Sequence, residues 1–96
     1  MENTQNIDNI VTSERRLEVL KLIRRDIEER IVRLEWNNEV FNDVIIPLRQ
    51  EQKKDKPKEL KEDIEGFKQQ IAENCMGIMS NAVALAKLDK KINELK

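Results

Sequence analysis

Apolar residues recur at alternating steps of three and four along the first half of the chain, beginning at Leu17. A seven-residue repeat with apolar residues at its first (a) and fourth (d) positions predicts a helix that packs along a narrow seam. We place the start of this helix at Thr12-Ser13-Glu14, where a hydroxyl can cap free backbone N–H groups. Residues 1–12 are then a flexible lead-in. The first seam comprises d positions Leu20, Ile27, Leu34, Phe41 and Leu48 and a positions Leu17, Arg24, Ile31, Asn38 and Ile45.

Two prolines divide the rest of the chain. Pro47 predicts a kink near residues 45–47, because proline removes a backbone hydrogen bond and disfavours the helical conformation at Ile46. The lysine-rich segment 53–58 is the strongest loop signal, and Pro57 within it suits the first turn of a new helix. A second seam follows, with d positions Leu60, Phe67, Asn74, Asn81, Leu88 and Leu95 and a positions Ile64, Ile71, Ile78, Leu85 and Ile92.

The short connection between the two helices predicts an all-α, antiparallel two-helix coiled-coil hairpin, formed by a single domain of residues 13–96. Antiparallel seams place a opposite d, and two registers satisfy this rule. One pairs Asn38 with Asn74 and centres the turn on Lys56. The other pairs Asn38 with Phe67. We predict the first, because its turn coincides with the loop signal and two buried amides can satisfy each other while determining the register.

Apolar residues also lie outside both seams. Val32, Trp36 and Val40 share one face of the first helix, and residues 75–86 of the second are apolar or small almost all round. A lone hairpin would expose these side chains to water at a loss of about 25 cal/mol per Å². We therefore predict an interface formed by Leu22, Val32, Trp36, Val40, Cys75, Met76, Met79 and Val83.

Two arrangements could cover this surface. The first is assembly, either as a homodimer that forms a four-helix bundle or with another helical protein in a larger complex. The second is that residues 1–12 and the segment after Pro47 fold over the hairpin within one chain. We predict assembly, and hence a protein–protein interaction or adaptor module.

Composition changes this picture little. The chain is 39% charged, but 18 basic and 19 acidic residues leave a net charge of −1, and the apolar residues are patterned. These features favour long, surface-rich helices over disorder. With Cys75 as its single cysteine, the chain needs no oxidising compartment, and it has no apolar run of membrane-spanning length. We expect a cytoplasmic protein with no membrane partner.

The residue inventory argues against catalysis. Histidine and tyrosine are absent, and Cys75 lies in an apolar segment that keeps a thiol inert. The acidic cluster Glu59, Glu62, Asp63 and Glu65 lies near lysines and lacks the pattern of a calcium loop. We therefore expect a protein that is not an enzyme, with no catalytic residue, metal, cofactor or small-molecule substrate.

The alternative function is a small nucleic-acid-binding regulator. It would use Lys53, Lys54, Lys56 and Lys58 of the turn together with arginines of the first helix. Those arginines alternate with acidic residues, an arrangement that favours ion pairs along a helix over phosphate binding. They are Arg15, Arg16, Arg24, Arg25, Arg30 and Arg33.

Overall fold

Two long antiparallel helical arms form the protein in a computed structural model, which describes the backbone of residues 2–95 and the side chains of residues 12–95. The first arm consists of α1 (Glu2–Val40), a π-helical segment (Phe41–Ile45) and α2 (Ile46–Gln52). A turn at residues 53–56 leads into α3 (Pro57–Leu95), the second arm. The hairpin is 79 Å long and 16 Å across. The predicted fold class, an all-α antiparallel hairpin, is confirmed.

The first helix begins earlier than the sequence pattern predicted. α1 starts at Glu2, so the expected start at Thr12-Ser13-Glu14 is wrong, and the backbone of the expected lead-in is helical. Residues 2–12 contain no glycine or proline. Extending an existing helix avoids the cost of nucleation, and each of these residue types costs at most about 0.7 kcal/mol relative to alanine. The hydroxyl signal therefore lies inside the helix.

The register is the one that pairs the two asparagines. Nδ2 of Asn74 donates a hydrogen bond to Oδ1 of Asn38 at 2.9 Å, across the seam. Gln70 donates a second hydrogen bond to Asn74 Oδ1 at 3.0 Å, and Asn38 Nδ2 lies 3.5 Å from the Cys75 sulfur. Asn74 is buried, so these bonds compensate an amide that has lost most of its water. The alternative register, with Phe67 opposite Asn38, is excluded.

Pro47 is accommodated within the helical arm without a break. Ile46 remains helical, with φ −62° and ψ −49°, and its N–H donates to the carbonyl of Phe41, five residues back. The predicted loss of helical conformation at Ile46 is therefore wrong. A proline ring in a regular helix meets the carbonyl four residues earlier, and we attribute the wider π turn to relief of that clash.

The π-helical segment also changes which residues occupy the seam. It inserts one residue relative to a regular helix, so the heptad is advanced by one position after it. Leu48, predicted as a seam residue, is 52% exposed. Arg49 and Lys53 take the half-buried positions where the uninterrupted pattern would place Leu48 and Gln52. The prediction for Leu48 is wrong because it assumed an unbroken period.

Candidate protein-interaction surface

The eight residues predicted to form an interface are exposed on the hairpin. The largest are open to solvent: Trp36 is 63% exposed, Met76 68% and Met79 69%. The chain does not cover them itself. α2 continues the first arm after Pro47, and α1 runs without interruption from Glu2, so neither segment folds back over the hairpin. The intrachain alternative is therefore wrong.

On the first arm the exposed apolar residues form a ridge. Its members follow one another at four-residue intervals, so neighbouring side chains lie one helical turn apart over about 24 Å. The apolar pattern predicted its first three residues. Leu48 was assigned to the seam, and Val44 was not predicted. This first-arm ridge consists of Val32, Trp36, Val40, Val44 and Leu48.

On α3 the exposed apolar residues form a second heptad on the side of the helix away from the seam. They recur at steps of four, three, four and three, so α3 carries two seams, one facing α1 and one facing solvent. The alternating spacing is present in the sequence and was overlooked within a segment that is apolar almost all round. This α3 stripe consists of Ala72, Met76, Met79, Val83 and Ala86, all exposed.

Charged residues are nearly absent around the α3 stripe. Residues 74–86 contain none, in a chain that is 39% charged. The nearest charges are Glu73 on one side and Lys87 on the other. Cys75 and Ala82 flank the stripe and are exposed, whereas Gly77 is half-buried against α1. A Cβ atom at Gly77 would lie 3.1 Å from Cδ1 of Leu34, so this small residue serves the inner seam.

α1 is charged along the edge that borders the α3 stripe. Glu28 and Glu35 lie on that edge, and each comes directly after a d position of the seam. Glu28 is ion-paired with Arg24, whose Nε also lies 2.5 Å from Oδ1 of Asp89 on α3. The hydrogen bond with Asp89 raises the pKa of Arg24 above its ordinary value, against the opposing effect of burial. One side of the hairpin is thus apolar on α3 and, apart from Val32, charged on α1.

The basic turn contains ion pairs with its own carboxylates. Nζ of Lys53 lies 2.6 Å from Asp63 Oδ2 and 3.8 Å from Glu59 Oε2, both on α3. Asp63 Oδ2 is shielded from solvent without an aligned hydrogen bond, so the lysine is what compensates its charge. The contact with Lys53 lowers the pKa of Asp63 despite burial, and Arg49 contributes in the same direction.

These pairs reduce the positive charge available to a phosphate. Lys54 also pairs with Glu51 at 3.3 Å, and on α1 Arg25 lies 3.7 Å from Glu29. Lys56 and Lys58 are exposed. Nucleic-acid binding stays a hypothesis. A steep loss of affinity with added salt would support it, and the absence of binding at low salt would contradict it.

Two further observations concern chemistry and membranes. Among the side chains that the structure describes, no three Cys, Asp or Glu residues converge as a metal site would require. Within residues 2–95, no helix combines the length and hydropathy needed to cross a bilayer.

Comparisons of the chain with protein-family models, with curated proteins and with solved structures find no match.

Proposed function

We propose that this protein is a non-enzymatic protein–protein interaction module, an adaptor or complex subunit whose partner is a second copy or another helical protein. The observation that carries the proposal is the pair of exposed apolar surfaces, the first-arm ridge and the α3 stripe. A cytoplasmic location, expected from the unpaired cysteine, is part of the same proposal.

The surface area of the chain supports assembly. The hairpin exposes 7900 Å², whereas a compact monomer of 11.4 kDa exposes about 5,800 Å². Its radius of gyration is 22.0 Å, against about 12.5 Å for a compact domain of this length. The excess of roughly 2,100 Å² is more than the ~800 Å² that each partner buries in an interface of standard size.

The shape of the surfaces favours a helical partner. Both are rows of side chains at helical spacing. The alternating steps of the α3 stripe suit knobs-into-holes packing, and the four-residue steps of the first-arm ridge suit the groove of another helix. Trp36 is the second of the five residues of the first-arm ridge, and tryptophan is among the residue types most enriched at binding hot spots. Met76 and Met79 supply flexible side chains that adapt to a partner surface.

The mass of the chain in solution tests this proposal. Sedimentation of the purified protein, and the size of the tagged chain in extract of its own cells, should in at least one case show a mass above that of one copy, which is 11.4 kDa without the tag. Trp36→Glu or Met79→Glu should reduce that mass, because each places a charge in an apolar contact. Asn37→Glu, next to Trp36 and exposed, is the matched control.

A folded chain that is monomeric at micromolar concentration, both when purified and in extract, would contradict the proposal. Circular dichroism of each variant establishes that the helices are retained. The substituted side chains are exposed in the hairpin, so the variants are expected to fold.

A further inference from the structure

We propose that the first-arm ridge binds an amphipathic helix of a different protein, one that carries lysine or arginine along one edge of its apolar face. The inference rests on the proposed function and names the chemistry of the partner. Two features beside the ridge carry it: a row of carboxylates along one edge and an uncharged groove along the other.

The first edge of the ridge is acidic. Glu35, Glu39 and Asp43 follow one another at four-residue intervals, and each comes three residues after a ridge member, so the two rows are neighbours on the helix surface. All three are exposed, and no ion pair in the described part of the chain involves them. Residues 34–48 contain no lysine or arginine. This acidic row therefore presents three uncompensated charges to whatever covers the ridge.

The opposite edge carries no charge. Asn37, Phe41 and Ile45 each come one residue after a ridge member, and they line a groove between the first arm and α3. The groove has a volume of about 360 Å³, and Gln70 and Asn74 line it from α3. A charged side chain placed there would lose water without meeting an opposite charge. The two edges therefore require different residues of a partner.

These edges define the partner helix. Its apolar face packs on the ridge, whose side chains already follow one another at helical spacing. Its residues beside the acidic row are basic, because opposite charges at the rim of an interface accelerate association and like charges exclude the wrong partners. Its residues beside the groove are apolar or polar without charge.

A second copy does not supply this chemistry. Two ridges in contact would bring together three carboxylates from each copy, whichever way the helices run. The most basic part of the first arm is residues 15–25, but Glu18 lies among its basic residues and Arg25 already pairs with Glu29. A twofold pair of first arms that placed this segment on the ridge would also desolvate the charged residues 26–30 at its centre.

Two model peptides test the charge preference. Both are amphipathic helices of about 18 residues, long enough to cover the ridge, with the same leucines and no tryptophan. One has lysine at its polar positions and the other has glutamate. The lysine peptide should bind the purified chain about tenfold more tightly at low salt, as measured by fluorescence anisotropy of the labelled peptide, and added salt should reduce the difference. Equal affinities would overturn the inference.

Charge reversal on the chain locates the contact. Glu35→Lys combined with Glu39→Lys should weaken binding of the lysine peptide about tenfold, because each replaces an attractive contact by a repulsive one. The matched control is Glu62→Lys combined with Glu65→Lys, at exposed positions of α3 with the same change in net charge. Circular dichroism establishes that both double variants remain helical. Equal weakening by the two would reveal an effect of net charge alone and would overturn the inference.

Substitution of the two apolar surfaces tells them apart. Trp36→Gln should weaken binding of the lysine peptide about tenfold, whereas Met79→Gln in the α3 stripe should leave it unchanged. The reverse result would place the peptide on the α3 stripe. Trp36 is the single tryptophan of the chain, so its emission in the original protein also reports on the ridge. A blue shift as the purified chain dimerises would show that a second copy covers the ridge. Either result overturns the inference.

The outcomes separate this inference from the proposed function. A chain that enters a larger complex in extract but binds both peptides equally would overturn the basic partner while leaving an interaction module in place. A chain that is monomeric both when purified and in extract contradicts the proposed function, whatever the peptides show.

Discussion

At the residue scale, the Asn38–Asn74 hydrogen bond is the contact that defines how the two arms align. The Asn74 side chain donates one hydrogen bond to Asn38 Oδ1 across the seam, and Gln70 donates another to Asn74 Oδ1. An amide at a seam position gives less stability than leucine, but it pairs favourably with only one partner. The two asparagines therefore lower the stability of the hairpin and specify a single register.

A double-mutant cycle measures this contact. Asn38→Ala and Asn74→Ala should be non-additive in their effect on the free energy of unfolding, with a coupling of about 1 kcal/mol, the usual contribution of one hydrogen bond. Asn37→Ala combined with Asn74→Ala is the control and should be additive, because Asn37 is exposed. Additive effects for the first pair would show that the bond contributes nothing to stability.

The two glycines of α3 should respond differently to alanine. Gly66→Ala introduces a methyl group into open space and should stabilise the helix by about 0.5–1 kcal/mol. Gly77→Ala gains the same helical preference but must displace Leu34 Cδ1, which lies 3.1 Å from the new carbon, so its gain should be smaller or reversed. Thermal unfolding of both variants checks the order. A larger gain at Gly77 would mean that the seam there is loose.

Asp63 should make stability depend on pH. Its pKa is lowered in the folded chain, chiefly by Lys53. Its contribution is therefore present above the unfolded value of about 3.9 and is lost as the pH falls through the lower folded value. Asp63→Asn should reduce the melting temperature at neutral pH, and the difference from the original protein should shrink in strong acid. Glu62→Gln, at an exposed neighbour, should show no such trend. A difference that persists below the folded pKa would exclude an electrostatic origin.

At the scale of elements, the π-helical segment decides how the first arm meets the turn. By inserting one residue it turns Leu48 outward and brings Arg49 and Lys53 towards α3, where Lys53 pairs with Asp63. The same change extends the first-arm ridge by one apolar residue. A local irregularity caused by one proline thus affects both the ion pairs of the turn and the exposed surface.

Removing Pro47 should restore the regular period. In Pro47→Ala an uninterrupted α-helix would return Leu48 to the seam and turn Arg49 outward. The reaction of a thiol at Leu48→Cys with a soluble reagent, in a Cys75→Ser background, should slow several-fold when Pro47→Ala is added. Arg49→Cys should change in the opposite direction. Unchanged rates would show that Pro47 is not the cause of the π turn.

At the scale of the whole molecule, the hairpin is long, thin and poorly buried. Ile27 and Ile92 are the apolar residues buried most among the described side chains, at 8% and 6% exposure, and no described side chain is fully buried. A two-helix cross-section gives each seam residue one neighbouring helix, so half of its surroundings remain solvent. The proposed assembly would give such a shape the core that a single hairpin lacks.

The single tryptophan reports where assembly occurs. Trp36 is 63% exposed in the single hairpin, so burial of the first-arm ridge should shift its emission to the blue as the mass measured by light scattering rises with concentration. Unchanged emission during that rise would place the interface on the α3 stripe instead.

Much of this protein was determined by its sequence alone. Two heptads, a lysine-rich turn with Pro57 and a pair of asparagines were enough to predict the hairpin and its register, because seam residues, turn residues and amide pairs are local or pairwise requirements. The eight exposed apolar residues followed from the same period, since positions outside a two-helix seam have no neighbour within the chain.

The tertiary structure determined the features that depend on which residues of the first arm face α3. The π turn before Pro47, the outward rotation of Leu48 and the pairing of Lys53 with Asp63 arise from one inserted residue, and sequence periodicity does not reveal how a helix accommodates a proline. The helix start at Glu2 also did not follow from the apolar period. A helix extends beyond a capping signal when no helix-breaking residue stops it. Backbone hydrogen bonding therefore determined which residues of the first arm face α3, whereas the apolar pattern had already predicted which apolar side chains are exposed.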